Sequence, residues 1–187
     1  MVFTKKKLIL PLFLALLMVL STFGIILGST SSKNKSIDYG GYKFTFDGQR
    51  WFTFKDKTRL EFLFDPKDLE DISTRSLMNK LSSYKKIYLS VNPEDNLQQE
   101  TQFFRSTLVS LISKPINVAC PNDNDLCSNL PIKDCKDSIQ EEVFILKLSR
   151  RTNNSIQENE SCITVGGDST YFIKVLEKIR LEYFLNE

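Results

Sequence analysis

KIYLSVNPEDNLQQETQFFRSTLVSLISKPINVAC, residues 86–120, decides the fold: it reads as strand, helix, strand. Lys86 to Val91 is a short apolar run of strand length, and Asn92-Pro93 is a turn dipeptide. From Asp95 to Ser113 the apolar residues Leu97, Phe104, Leu108, Leu111 and Ile112 share one face at helical spacing. Lys114-Pro115 ends that helix, and Ile116 to Cys120 supplies the second strand. Two strands joined by a helical crossover are expected to pair in parallel, with a right-handed connection.

Working outward, Glu142 to Leu148 (EVFILKL) reads as a buried strand, and Arg150 to Ser161 as a polar loop or hairpin tip. Ser161 to Val165 is a further strand. Gly166-Gly167 follows as a tight strand-to-helix turn, and a last helix runs from Ser169 to about Phe184. Asp168 or Ser169 caps it, with Phe172, Val175, Leu176, Ile179 and Tyr183 on one stripe. Upstream, Asp65-Pro66-Lys67-Asp68 is a helix start; one short helix, or two broken near Ile72–Ser73, runs to about Ser82. Ile37 to Phe64 is an aromatic β-meander: Tyr42, Phe44 and Phe46 alternate, Asp47-Gly48 turns the chain, and Trp51, Phe52 and Phe54 resume. Lys55 to Thr58 makes a second turn before Leu60, Phe62 and Phe64. Core-facing aromatics with a solvated opposite face account for this pattern. The expected class is α/β, or α+β: an N-terminal transmembrane helix, an aromatic β-meander, then a mixed sheet with a β-α-β unit and a C-terminal helix.

The membrane expectation rests on Leu8 to Gly28, 21 uncharged residues after Lys5, Lys6 and Lys7. At about 1.5 Å per residue they span a bilayer core of roughly 30 Å. The lysines place the N-terminus in the cytoplasm and everything after Gly28 outside. A cleaved signal peptide is the rival, but it carries a shorter apolar region and an A-x-A-like site. The expected organisation is a cytoplasmic N-terminus at 1–7, a transmembrane helix at 8–28, a polar linker at 29–36 (STSSKNKS completes it) and an extracytoplasmic α/β domain at 37–187.

Composition narrows the chemistry. The 187 residues are 41% apolar and 26% charged, which suits a globular chain and excludes bulk disorder. There is no histidine, so Ser-His-Asp and Cys-His catalysis and histidine metal ligands are excluded. Five of the 25 basic residues lie in 1–36 beside no acid; the other 20 face 23 acidic residues, a net of −3. The overall +2 is an anchor effect, and a nucleic-acid partner loses its electrostatic argument. Asp65, Asp68, Glu70 and Asp71 read as partners of a helix dipole rather than catalytic carboxylates. Asp123 and Asp125 lack the EF-hand pattern, so NDND reads as a solvated turn. Gly166-Gly167 lacks the residues of either a phosphate loop or a dinucleotide fingerprint. No catalytic, cofactor-binding or metal-binding residues are expected.

Cys120, Cys127, Cys135 and Cys162 all follow the span, where thiols are oxidised, and two disulfides are the expectation. Zinc prefers cysteine pairs two to four residues apart, unlike these. Of three pairings, Cys120–Cys127 closes the PNDNDL loop and Cys135–Cys162 ties LPIKDC to the penultimate strand; this is the favoured set. Asn34, Asn153 and Asn159 each begin an N-x-S sequon in an expected outer segment, where glycans attach.

The Lys-flanked span, YGGYKFTFDGQRWFTF, LEFLFDPKDLEDI, KIYLSVNP, LPIKDC and SCITVGGDSTYFIKVLEKIRLEYF together resemble uncharacterised single-pass membrane-anchored envelope proteins of small-genome archaea. The resemblance implies an envelope location with paired cysteines and no assigned activity. The leading expectation is a non-enzymatic binding or structural domain, with the lipid bilayer (through residues 8–28) and envelope or surface-layer proteins as partners. The alternative is an extracytoplasmic enzyme with its site at the strand ends, near Asn92–Glu94 and Gly166–Asp168. A deep polar pocket there favours the enzyme, and a filled, shallow rim the binding module. An accessory subunit of a membrane complex would expose an apolar patch.

Overall fold

The computed structural model describes residues 16–18, 35–140 and 142–186. Leu16 to Met18 are helical and exposed. The rest of the expected span at 8–28, the linker up to Asn34, and the Asn34 sequon residue lie outside the described residues. Among the described residues no helix is long and apolar enough to cross a membrane. The chain divides into two compact units, Met1–Glu61 and Phe62–Glu187.

The first unit is the expected meander: β1 (Ser36–Tyr39), β2 (Tyr42–Phe46), β3 (Trp51–Lys55) and β4 (Thr58–Phe62), in that order across one sheet. Its turns differ from the sequence reading. Asp47-Gly48 is not a two-residue turn. Asp47 to Arg50 form a four-residue loop, closed by Asp47 N–H on Arg50 O at 3.1 Å, and Asp47 Oδ1 accepts from Gln49 N and Arg50 N. The tight turns lie at Gly40-Gly41, with φ of +58° and +82°, and at Asp56-Lys57, with φ of +48° and +70°. In both of these two-residue turns the two central residues are left-handed, as one of the two turn types that match the strand twist requires, a conformation glycine adopts freely and lysine does not. The aromatics also divide between faces. Phe44 and Trp51 are buried, whereas Phe52 and the 57%-exposed Phe54 pack edge to face on the other side, with Arg59 over Phe52 at 4.1 Å.

The second unit opens with a 3-10 turn at Pro66–Leu69, capped by Asp65 Oδ1 on Lys67 N (3.0 Å), and then helix α1 (Arg75–Ser83). Of the two readings left open, the broken one holds. A five-stranded sheet follows in the order β6-β5-β7-β9-β8: β5 (Ile87–Val91), β6 (Ile116–Ala119), β7 (Phe144–Arg150), β8 (Ser155–Asn159), β9 (Cys162–Gly167). Helix α2 (Gln98–Ile112) joins β5 to β6, and helix α3 (Ser169–Asn186) ends the chain. β5 pairs β6 and β7 in parallel, β7 pairs β9 in parallel, and β8 runs antiparallel on the far edge. The class is therefore mixed α/β, with the β-α-β unit and C-terminal helix as read.

Two sequence readings are corrected here. Arg150 to Ser161 contains a true strand, β8, which holds one apolar residue and is solvated as an edge. Gly166 and Gly167 are not a turn but the last residues of β9, without left-handed φ. They are glycine because space is short. A Cβ on Gly167 would lie 2.6 Å from Tyr171 Cδ1, and one on Gly166 would lie 2.7 Å from Arg151 Cδ.

The sheet's two faces are closed differently. Register puts Ile87, Leu89, Ile116, Phe144, Leu146, Leu148, Ile163 and Val165 on one face, all buried, with α2 and α3 packed on this side. Phe104 of α2 meets Phe172 of α3 edge to face, centroids 6.4 Å apart. The opposite face carries Tyr88, Ala119, Ile145 and Cys162, which cluster with Val143 and the half-buried Cys135. Neither α2 nor α3 lies there; described residues of the segment 120–140, which includes the 3-10 turn Asp125–Cys127 and the one-turn helix Asp137–Gln140, and Val143 do. The segment is held by Cys120–Cys127 and Cys135–Cys162, the favoured pairing, with Cα–Cα distances of 6.0 and 5.3 Å. Ser90 Oγ donates to Lys133 O at 2.7 Å across the same face.

Helix α3 is buried beyond its apolar stripe. Tyr183 of that stripe is half-buried, while Glu177 is 1% exposed. Glu177 accepts from Leu63 N at 2.9 Å and from Arg180, and Glu182 accepts from Thr74 Oγ at 2.7 Å. These carboxylates tie the connector between β4 and α1 to the helix by charge-assisted hydrogen bonds.

Two outcomes follow from these features. Replacing Cys135 and Cys162 by serine should lower stability by about 3.5 kcal/mol, against about 2.4 kcal/mol for Cys120 and Cys127, because the enclosed loops are 27 and 7 residues long. Urea unfolding of both double variants checks the order. Lys57→Gly should raise stability by roughly 0.5–1 kcal/mol, the relief of left-handed strain less the added freedom of the unfolded chain. An unchanged urea midpoint would contradict the turn strain.

Candidate binding groove

The carboxyl ends of the parallel strands are where an α/β sheet usually holds ligand. Here the part of that rim between β7 and helix α2 is spanned by its own side chains. Arg150, the last residue of β7, donates through its N–H to Asp95 Oδ2 at 3.0 Å and through Nε to Asp95 O at 2.9 Å. Its Nη2 reaches Asn96 O at 3.4 Å and stands 3.9 Å from Glu100 Oε1, which in turn accepts from Ser169 Oγ. The chain makes this possible because Asn96 takes a left-handed φ of +52°, ending the 3-10 turn Pro93–Asp95 so that two carbonyls face Arg150. Arg150 and Glu100 thus link Asp95 and Asn96, just after Asn92–Glu94, to Ser169, just after Gly166–Asp168. Asp168 is committed to capping α3, accepting from Tyr171 N at 2.7 Å.

Open space lies to one side, along edge strand β6. A cavity of about 270 Å³ is lined chiefly by Val91, Pro93, Leu97, Val118, Leu126 and Leu130. It adjoins a wider depression of mixed lining bordered by Tyr88, Gln102, Arg105, Asn117 and Pro131, with Gln102, Val118 and Leu130 common to both. The result is a groove with α2 as one wall, the 126–131 segment as the other and β6 between them. The wall on the loop side comes from the stretch read as a solvated turn. Asn124 Oδ1 accepts from Leu126 N at 3.0 Å, starting the 3-10 turn Asp125–Cys127, and Cys127 is buried and bonded to Cys120. That leaves Leu126 66% exposed beside the half-buried Val118, with Leu130 and Ile132 also exposed nearby in sequence. Asn92 and Pro93 of the expected rim border this groove; Gly166–Asp168 do not.

Of the other sequence-derived sites, all four cysteines are disulfide-bonded and none is a free thiol among the described residues. Asn153 is exposed in the loop after β7, and Asn159 is exposed as the last residue of β8. Among the described residues no three acidic or cysteine side chains converge as a metal site. Gln102, Arg105, Val118, Leu126 and Leu130 were not singled out from the sequence; the available signal was two isolated leucines in an otherwise polar loop. No protein family, no curated protein and no solved structure matches the chain.

The segment that forms the loop wall is also held electrostatically. Burial pushes the Asp134 carboxyl up, but the hydrogen bond from Lys147 Nζ (2.9 Å) and that from the Cys135 N–H outweigh it, so the group titrates below its ordinary value. A folded-state value lowered below the unfolded one contributes stability that is complete above the ordinary carboxylate range and lost as pH falls through the lowered value. Below about pH 4 the wild-type chain should therefore lose stability more steeply than Asp134→Asn. Urea midpoints measured across the acid range check this, and parallel curves for the two proteins would count against it.

Proposed function

We propose that this chain is a membrane-tethered binding protein of the cell envelope, anchored through residues 8–28 with its N-terminus in the cytoplasm and its disulfide-braced α/β domain outside. It belongs, on this reading, with the archaeal envelope proteins its sequence resembles, and the sequons at Asn34, Asn153 and Asn159 are available for glycans. Two disulfides support the outer location, since such bonds persist in oxidising compartments.

The observation that carries the binding reading is the contrast between the two candidate sites. The strand-end rim has its polar groups occupied by one another through Arg150, Asp95 and Glu100, which leaves little for a substrate. The β6 groove instead combines exposed leucines with open polar groups, the composition of a partner-binding surface. Its occupant is an envelope protein, and no nucleic acid is involved.

The test uses the full chain in native membranes, with a photo-crosslinking residue at Leu126 and a control at Phe54. The Leu126 position should crosslink one discrete protein partner, while Phe54 should not. Protease added to sealed cells should remove the C-terminal domain. Protection from protease together with four alkylatable thiols would overturn the placement, and absence of any protein adduct at Leu126 would overturn the groove.

A further inference from the structure

Among the described residues, the main chain of Val118 on the outer edge of β6 has no partner. In a strand, main-chain groups face one side at every second residue. Cys120 N donates to Pro131 O at 2.9 Å and Cys120 O accepts from Lys133 N at 2.7 Å, so Cys120 faces outward, and by the same period so do Val118 and Ile116. Ile116 O accepts from Arg105 Nε at 3.0 Å. Between these two occupied positions the N–H and C=O of Val118 point into the groove without a protein partner among the described residues. An exposed sheet edge of this kind is a template for another strand.

Resting on the binding reading above, we propose that the groove takes an extended segment of a partner polypeptide, which adds to β6 through the main chain of Val118, with a large apolar side chain between Leu97, Leu126 and Leu130 and a carboxylate on Arg105. Three observations select this occupant. The chain's own residues 131–133 already pair in parallel with the edge at Cys120, so strand addition is the mode this edge uses. The groove has α2 on one side and residues 126–131 on the other with Val118 between them, so a chain lying along it runs beside the β6 edge. The charge is complementary: Arg105 spends only Nε on Ile116 O, and its two terminal nitrogens have no carboxylate among the described residues. Since Arg105 and the apolar cavity both lie on the α2 side, the partner's acidic and apolar residues stand an even number of positions apart, two at the shortest, as side chains on one face of a strand do.

The experiment measures fluorescence anisotropy of two labelled peptides, Ser-Thr-Glu-Thr-Leu-Thr-Ser and its reversed order, with the full chain in detergent micelles. One of the two should bind saturably. Methylation of the central three amide nitrogens of the peptide should abolish binding, since strand addition requires them. Arg105→Glu should weaken it about tenfold or more, and a peptide with Lys in place of Glu should regain affinity for that variant. Val118→Pro, tolerated on an edge whose N–H faces outward, should also abolish it; the methylated peptide gives the same information if that variant fails to fold. Binding that survives methylation would mean an apolar ligand rather than a strand, and would overturn the proposal. Self-association abolished by Val118→Pro would replace it with β6–β6 pairing between copies. Failure of both peptides while Leu126 still crosslinks a protein would overturn strand addition and leave the groove standing; failure of both tests would remove the groove as well.

Discussion

A parallel sheet has to be buried on both faces, and the second unit meets that requirement with a helical layer on only one of them. The other face is closed by residues 120–143, a segment with little regular structure, which on its own would have no reason to stay against the sheet. Cys135–Cys162 joins that segment to β9 itself, Ser90 holds the carbonyl of Lys133, and Lys147 holds the carboxylate of Asp134. With this strap in place, Tyr88, Ala119 and Ile145 are buried; without it they would face water.

The same strap shapes the functional surface. Because Cys127 is bonded back to Cys120 and Cys135 to Cys162, the strap is held while Leu126, in the first disulfide loop, and Leu130, between the two bridges, stay exposed. It pairs with the β6 edge at Cys120 and, among the described residues, leaves the main chain of Val118 without a partner while forming one wall of the groove. At the strand-end rim, where an α/β enzyme would work, Arg150 reaches across between the β5 exit and helix α2. Stability and the proposed binding thus draw on one element, and the solvent-facing part of that element is the part with fewest packing constraints.

Much of the fold was legible in the chain. The β-α-β unit was readable because Leu97, Phe104 and Leu108 keep a helical period between two short apolar runs bounded by proline. The meander was readable from alternating aromatics, though its tight turns were not, since Asp56-Lys57 lacks the glycine that marks such a turn. Strand β8 escaped notice because an edge strand solvated on one side needs few apolar residues, and SIQEN has one. Gly166-Gly167 looked like a turn because glycine signals turns more often than crowding, and the crowding atoms belong to Arg151 and Tyr171, which only the fold brings near. The groove was the least legible feature: Arg105, Val118 and Leu126 become neighbours only when β6 is placed at the sheet edge.

What the sequence determined by itself was local: periodicity, caps, turn chemistry, the even set of cysteines, and the charge split between the first 36 residues and the rest. Those properties follow from interactions over a few residues, which a linear pattern records directly. The tertiary structure alone decided which strand lies at the edge, which polar groups satisfy one another across the strand ends, and where an unpaired main chain meets exposed leucines. Such outcomes depend on strand order and on contacts between distant residues, and hydrophobic burial, being non-directional, leaves no local mark of either.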